Sequence, residues 1–307
     1  TTEEAPPEGG TGWVDMFRGM LGVYTILLNV GIGVHAIDIF VITTVMPAVV
    51  AEIGGVEFYA WTTMLYMVGT VMGAASGQYV RAMLGRRKGY ATAGLIFLFG
   101  ALGCASSPNM ATLLAFRMLE GIGGGLMMSQ SMTLVNDLYT GRLRTRVLAT
   151  ITTTWSIAAV VGPLIGGIWG NIGLWRGAFL TTSLLTILFI LAAWKVIPDG
   201  EQGAKHRLPY RRLLLLGTSV VLVGASGQFG DFVSRISLVA AGVLCLIFTL
   251  RLDRVKENLF PRQVLSLFSP VGTAYWVFLL LSAAYTPITI FMPLALSQIY
   301  LLDPLWI

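Results

Sequence analysis

Four ionisable side chains, His35, Asp38, Arg117 and Glu120, stand within long runs of apolar residues. They fall as two pairs, each three residues apart. In a helix, His35 and Asp38 then share one face and Arg117 and Glu120 share another. Where such a run crosses a bilayer, an ionised side chain near its centre costs roughly 3 kcal/mol or more, so residues of this kind line a cavity and pair. Two chemistries fit. Ion pairs can simply hold helices together. Alternatively, a carboxylate exchanges a proton as a cavity opens to one side and then the other, because burial disfavours its charged form. Asp38, the one carboxylate of the first run, is expected to do the second. Arg117 and Glu120 stay between the two readings, and His35 between a proton relay and a histidine satisfied by its helix neighbours.

The elements that must position these groups follow from hydropathy. A helix spanning ~30 Å of hydrocarbon needs about 20 mainly apolar residues. Such runs lie at about 20–50, 58–80, 89–106, 110–136, 147–171, 176–197, 213–230, 236–252 and 271–301. The gaps between them alternate in charge. Seventeen of the 20 Lys and Arg residues fall on one side: Arg18; Arg81, Arg86, Arg87 and Lys88; Arg142, Arg144 and Arg146; Lys195, Lys205, Arg207, Arg211 and Arg212; and Arg251, Arg254, Lys256 and Arg262. The other side carries only Arg176 and Arg235. Cytoplasmic loops carry the excess of Lys and Arg. The N-terminus is therefore expected in the cytoplasm, with the ninth helix emerging outside and the protein in a bacterial-type plasma (inner) membrane.

Composition narrows the function classes. The chain is 55% hydrophobic and 11% charged, with a mean hydropathy of +0.77. A soluble domain averages about 25% charged residues. The sequence pI of 9.4 comes from the loop bias and points to anionic headgroups of the lipid bilayer, not to nucleic acid. Cys104 and Cys245 lack metal-ligand spacing and read as small buried hydrophobes. There is no phosphate-binding loop, zinc-protease or dinucleotide motif, so neither a cofactor nor a metal is expected, and the chain reads as no enzyme. Gly224-Ala-Ser226-Gly has the form of an intramembrane serine nucleophile, but no His follows it and His206 precedes it in a loop.

Residues 1–19, rich in Pro, Gly and Glu, read as a disordered cytoplasmic tail. Six spans over 20–197 form an N-terminal bundle. Linkers over 198–270 enclose a two-helix hairpin at 213–252, and 271–307 holds the ninth span. The expected fold class is thus an all-α integral membrane protein. Glycine is frequent at 36 residues, and in the fifth span Gly162, Gly166 and Gly170 recur every four, beside Pro163, as Gly121 and Gly125 do in the fourth. Such stripes let helix backbones approach closely, either for packing or for a rocking contact.

Several motifs, in matching order, resemble the major facilitator superfamily, and among its branches the fourteen-helix drug:proton antiporters. Asp38 and Pro47 sit at the spacing of that branch's D-x-T-I-V-N-V-A-L-P motif, with Phe40 and Thr43 where the family has Thr and Asn. Trp61 and Tyr66 resemble its W-x-x-x-x-Y signature, and Leu84-Gly-Arg-Arg-Lys88 its basic inter-helix loop. Leu114-Ala-Phe-Arg117-Met-Leu-Glu120-Gly121 is similar to the fourth-helix R-x-x-q-G motif, with Glu120 replacing the usual Gln. Val161-Gly-Pro-Leu-Ile-Gly-Gly167 matches the fifth-helix G-P-x-x-G-G motif, and Trp175-Arg176 with Phe179 the W-R-x-x-F start of helix six. The loop motif departs at Ala82, where the family carries an Asp that helps lock the bundles.

The resemblance implies a six-helix bundle, a two-helix insert and the first helix of a C-terminal bundle, rocking about a midplane site. Arg117, Asp38, Trp61 and Tyr66 would face the substrate cavity, and Asp38, Glu120 and His35 are the proton-coupling candidates. Gly162, Pro163, Gly166 and Gly167, with Gly85, Arg86 and Arg87, would serve hinge and gate. The implied partners are a small-molecule substrate and protons. The expected function is secondary transport, proton-coupled export of small amphipathic compounds; import of a metabolite or vitamin on the same fold, and a non-transporting receptor or assembly role, are the alternatives. The chain is expected to lack about five spans of the family pattern, supplied by missing C-terminal helices or a second chain. The charge bias makes a direct prediction. In a chain freed of Cys104 and Cys245, cysteines at positions 200 and 231 should react with an impermeant maleimide from opposite sides; same-side labelling removes the hairpin.

Overall fold

The computed structural model describes residues 13–199, 209–255 and 266–299. Among them are nine α-helices and no strand: α1 (Gly19–Ile53), α2 (Tyr59–Leu84), α3 (Arg86–Ala105), α4 (Met110–Leu138), α5 (Gly141–Asn171), α6 (Arg176–Val196), α7 (Tyr210–Ala225), α8 (Phe232–Val255) and α9 (Pro270–Ile299). Each apolar run of the sequence is one helix, in order. The chain is an all-α integral membrane protein. Lys205, Arg207, Lys256, Arg262 and the Asp303-Pro-Leu segment lie outside the described residues.

Five helices are long and apolar enough to cross a bilayer on composition alone: α1, α3, α5, α6 and the Phe232–Leu252 part of α8. α2 and α4 fall outside that set, and both are packed closely against other helices. Their most extensive contacts are with each other, and α3 closes over α4 from another side. α1 pairs with α5, α3 with α6, and α7 with α8, while α7 leans on α2. A polar or small residue that faces a neighbouring helix costs less than one facing lipid.

The α2–α4 seam is built by glycine on both helices. A Cβ at Gly69 or Gly73 would stand 2.2 or 2.1 Å from the carbonyl oxygens of Met118 and Ile122; one at Gly121 or Gly125 would stand 2.1 or 2.0 Å from those of Tyr66 and Thr70. The Gly121/Gly125 stripe was legible in sequence. Its complement, Gly69, Gly73 and Gly77, has the same four-residue spacing and escaped notice. Gly123 meets the backbone of Phe97 on α3, and Gly124 meets His35 of α1. The glycine-rich turn of α4 therefore touches three helices at once.

One difference from expectation concerns the start of the chain. Trp13–Phe17, within the stretch whose composition predicts disorder, forms a 3-10 helix against α1. Met16 is its anchor, being fully buried. The stripe of α5 faces inward. A Cβ at Gly162 would meet Phe40 at 2.5 Å, and one at Gly166 would meet the Thr44 hydroxyl at 2.1 Å, both on α1. Gly162 and Gly166 therefore hold α5 close to α1. The Thr44 hydroxyl also reaches the Pro163 carbonyl at 3.4 Å, and Gly167 is buried beside it.

The seam geometry predicts the cost of one methyl group. Gly125→Ala should lower stability by about 1–3 kcal/mol, since the added Cβ meets backbone that cannot step aside. Gly227→Ala, in open space, should leave the thermal unfolding midpoint in detergent unchanged. Equal midpoints for both variants would refute the close seam.

Candidate functional site

Asp38 on α1 and Arg117 and Glu120 on α4 converge in the bundle interior, and all three are fully buried. A single guanidinium nitrogen, Nη1 of Arg117, donates to Asp38 Oδ2 and to Glu120 Oε2, each at 2.7 Å. The link to Glu120 is the three-residue spacing on α4. The link to Asp38 joins two helices 79 positions apart in sequence. The set is incompletely satisfied: Asp38 Oδ1, Glu120 Oε1, Arg117 Nε and Arg117 Nη2 are buried and have no hydrogen-bond partner among the described residues.

An aromatic wall supports the cation. Arg117 Cζ lies 4.0 Å from the ring centroid of Tyr66 on α2, close enough for a cation–π attraction. The Tyr66 hydroxyl shares a 2.7 Å hydrogen bond with Nδ1 of His35, and the two rings stack with centroids 5.7 Å apart. His35 in turn meets the edge of Trp155 on α5, which meets Phe40. Gly124 makes this possible, because a Cβ there would be 2.3 Å from His35 Nδ1 and 3.1 Å from the Tyr66 hydroxyl. On the far side of Glu120, the Cys104 thiol on α3 donates to Oε2 at 3.5 Å. Five helices thus meet around one cation and two carboxylates.

Sequence reasoning named Asp38, Arg117, Glu120, His35 and Tyr66, and the fold brings these together. Trp61 stands apart. It is half-buried near the start of α2, edge-on to Phe58 at 6.4 Å. Two neighbours were missed. Cys104 read only as a small hydrophobe, and Trp155, a large aromatic in a helix otherwise rich in Thr, Ala and Gly, gave a compositional signal that was not used.

The basic loop forms a second polar cluster. Gly85 takes the left-handed φ of 79° that turns the chain from α2 into α3. Arg81 and Arg86 both bind Oδ2 of Asp137 at the end of α4, Arg86 at 3.3 Å. Arg87 pairs with Asp199 and lies 5.7 Å from the Trp194 ring centroid. With Ala82 at the position of the family's Asp, these cations are held by Asp137, in the last turn of α4, and by Asp199, just after α6. At the opposite end, Glu52 accepts from Trp175 Nε1 at 2.7 Å and from Arg176, tying the end of α1 to the start of α6.

The described residues thus form a bundle of apolar helices with a sequestered charge cluster at its centre. Residues 28–305 match the family model described as Major Facilitator Superfamily, and the chain belongs to that family. A Mycobacterium tuberculosis protein named as a probable multidrug-efflux transporter is 32% identical over 290 residues, which cover 92% of this chain and 60% of that protein. The multidrug transporter protein MdtP of Bacillus subtilis is 32% identical over 158 residues, covering 50% of this chain and 29% of MdtP. The chain thus spans about 60% of the length of the mycobacterial relative. Among solved structures, a D-xylose-proton symporter superposes with a TM-score of 0.50 at 18% identity, over 90% of this chain and 78% of that one. A partially occluded, inward-open xylose transporter from E. coli gives 0.52 at 17% identity, over 89% and 79%. These likenesses show the fold.

The cluster predicts a non-additive mutant series. Removing the cation alone, Arg117→Met, leaves the buried acidic pair without its counter-charge and should cost about 3–5 kcal/mol. Adding Asp38→Asn and Glu120→Gln to it should restore most of that loss, because no charge then remains to be solvated. Denaturant unfolding of purified protein measures both; an Arg117→Met protein as stable as wild type contradicts the geometry.

Proposed function

We propose that this protein is a secondary active transporter that exports small amphipathic compounds by alternating access, coupled to protons, in the plasma membrane, with its N-terminus in the cytoplasm. The observation that carries the coupling is the sharing of one guanidinium by two buried carboxylates. With both ionised, the set bears one excess negative charge in a dehydrated interior, at a cost of several kcal/mol. One proton on Asp38 or Glu120 makes it neutral. The occluded arrangement therefore favours the protonated set, and a water-filled cavity favours its release. The four unpartnered polar atoms supply donors and acceptors for a proton, a water or a polar group of a substrate. The Tyr66 and Trp155 rings supply apolar contact beside them.

Coupling then needs no new chemistry. A ligand and a proton that bind opposite-facing states with different affinity shift the population in opposite directions. Efflux, and not import, is supported by the names of the relatives, and the charge bias of the loops supports the orientation. His35, hydrogen bonded to Tyr66, extends the network toward α5 and is the candidate for passing the proton on.

Everted membrane vesicles test this reading with ethidium as the probe. An acid-inside gradient should drive ethidium accumulation in vesicles bearing the protein. Asp38→Asn should lower the gradient-driven rate at least about tenfold, since a fixed neutral side chain removes the exchangeable charge. Gradient-driven uptake at the wild-type rate in that variant would sink the coupling assignment, and uptake only from the opposite side would reverse the direction.

A further inference from the structure

The 3-10 helix Trp13–Phe17 is folded back on α1 by a set of specific contacts. Gly19 takes a left-handed φ of 55° between the two, and a Cβ at Gly22 would stand 2.2 Å from the Phe17 carbonyl oxygen. The carbonyl of Met16 accepts the Thr25 hydroxyl at 2.9 Å. The Tyr139 hydroxyl donates its one proton either to Thr25 Oγ1, at 2.8 Å, or to the Leu21 carbonyl, at 2.9 Å. The short helix is therefore fastened both to the first turns of α1 and to the end of α4.

What it presents outward is unusual. Trp13, Val14, Phe17 and Met20 are each more than half exposed, at 56, 63, 52 and 57%. Beside them stands the basic start of α5. The Arg146 guanidinium lies 5.7 Å from the Trp13 ring centroid, Arg142 and Arg144 are exposed, and Arg18 flanks the other edge. Asp15 is paired with Arg18 at 3.1 Å. Apolar rings and cations on one rigid platform match an interface in which rings enter the headgroup–acyl boundary and cations meet phosphates.

We propose that the Trp13–Phe17 platform, with Arg142, Arg144 and Arg146, is a docking surface for anionic phospholipid headgroups at the basic end of the bundle. Its place argues for lipid over a protein partner. The platform lies beside the first turns of α1, a membrane helix, and so at the depth where a bilayer has its headgroups. Tryptophan is enriched at that depth, and each Arg near such a surface attracts anionic lipid. Through Thr25 and Tyr139 the platform is joined to α1 and α4, the helices that carry Asp38 and Arg117. Lipid composition is thereby linked to the ends of the helices that hold the charge cluster.

The test needs no transport activity, so its outcome is independent of the proposed function. Bimane is attached at Val14→Cys in the full chain carrying Cys104→Ala and Cys245→Ala, reconstituted in phosphatidylcholine vesicles. Brominated phosphatidylglycerol should quench it about twofold or more beyond brominated phosphatidylcholine of the same acyl chains. High salt should erase the difference. Neutralising Arg142, Arg144 and Arg146 together to Gln should also erase it, whereas Arg251→Gln, elsewhere on the basic side, should not. Equal quenching by the two lipids, no quenching by either, or a preference that survives salt would overturn the proposal. The salt arm keeps the test decisive if the triple variant does not insert.

Discussion

The rest of the bundle is arranged around the Arg117 guanidinium, which holds two carboxylates where no water reaches them. A buried charge is tolerated only when paired and hydrogen bonded. Here one nitrogen serves Asp38 from α1 and Glu120 from its own helix, and the ring of Tyr66 from α2 covers its face. Losing the guanidinium leaves the buried acidic pair with no counter-charge. The cluster is therefore a registry device for α1, α2 and α4 as well as a site. A proton added to or removed from it changes the balance of the whole set, which is the property an alternating-access mechanism uses.

Close packing is what makes so dehydrated a centre possible. The reciprocal glycines of α2 and α4 bring carbonyl oxygens within about 2 Å of where a Cβ would be. Gly162 and Gly166 bring α5 close to α1, where an added Cβ would stand 2.5 Å from that of Phe40 and 2.1 Å from the Thr44 hydroxyl. Gly124 leaves room for His35 and the Tyr66 hydroxyl beside the cluster. Small residues here act less by flexibility than by letting backbones touch, so seam and site are one structure. The ends of the bundle are clamped separately, by Asp137 with Arg81 and Arg86 at the basic end, and by Glu52 with Trp175 and Arg176 at the other.

Much of this was legible in the sequence. Nine apolar runs gave nine helices, because bilayer thickness leaves little choice of length. Charge at membrane depth is rare enough that Asp38, Arg117 and Glu120 stood out, and the fold brings them together as expected of residues that must pair. Less legible was direction. A glycine stripe marks a close contact but not the partner, and the packing of Gly162 and Gly166 on α1 was not legible. Trp61 shared a motif with Tyr66, yet five residues along a helix is more than one turn and separates the two. The Trp13–Phe17 turn was hidden because composition averages over a tail, while one buried methionine and one glycine turn suffice to order it. Cys104 is buried as expected, but its contact with Glu120 was not legible, since the neighbour a thiol meets is set by packing.

The central claim is that Asp38 and Glu120 hold one proton between them over Arg117 when the cluster is dry. Infrared difference spectroscopy of the full chain against the Asp38→Asn/Glu120→Gln double variant reads carboxyl protonation directly. A carboxylic-acid carbonyl band should be present in the wild type at neutral pH and be missing from the double variant. A wild-type spectrum with no such band at neutral pH, or a band unchanged in the double variant, would contradict it.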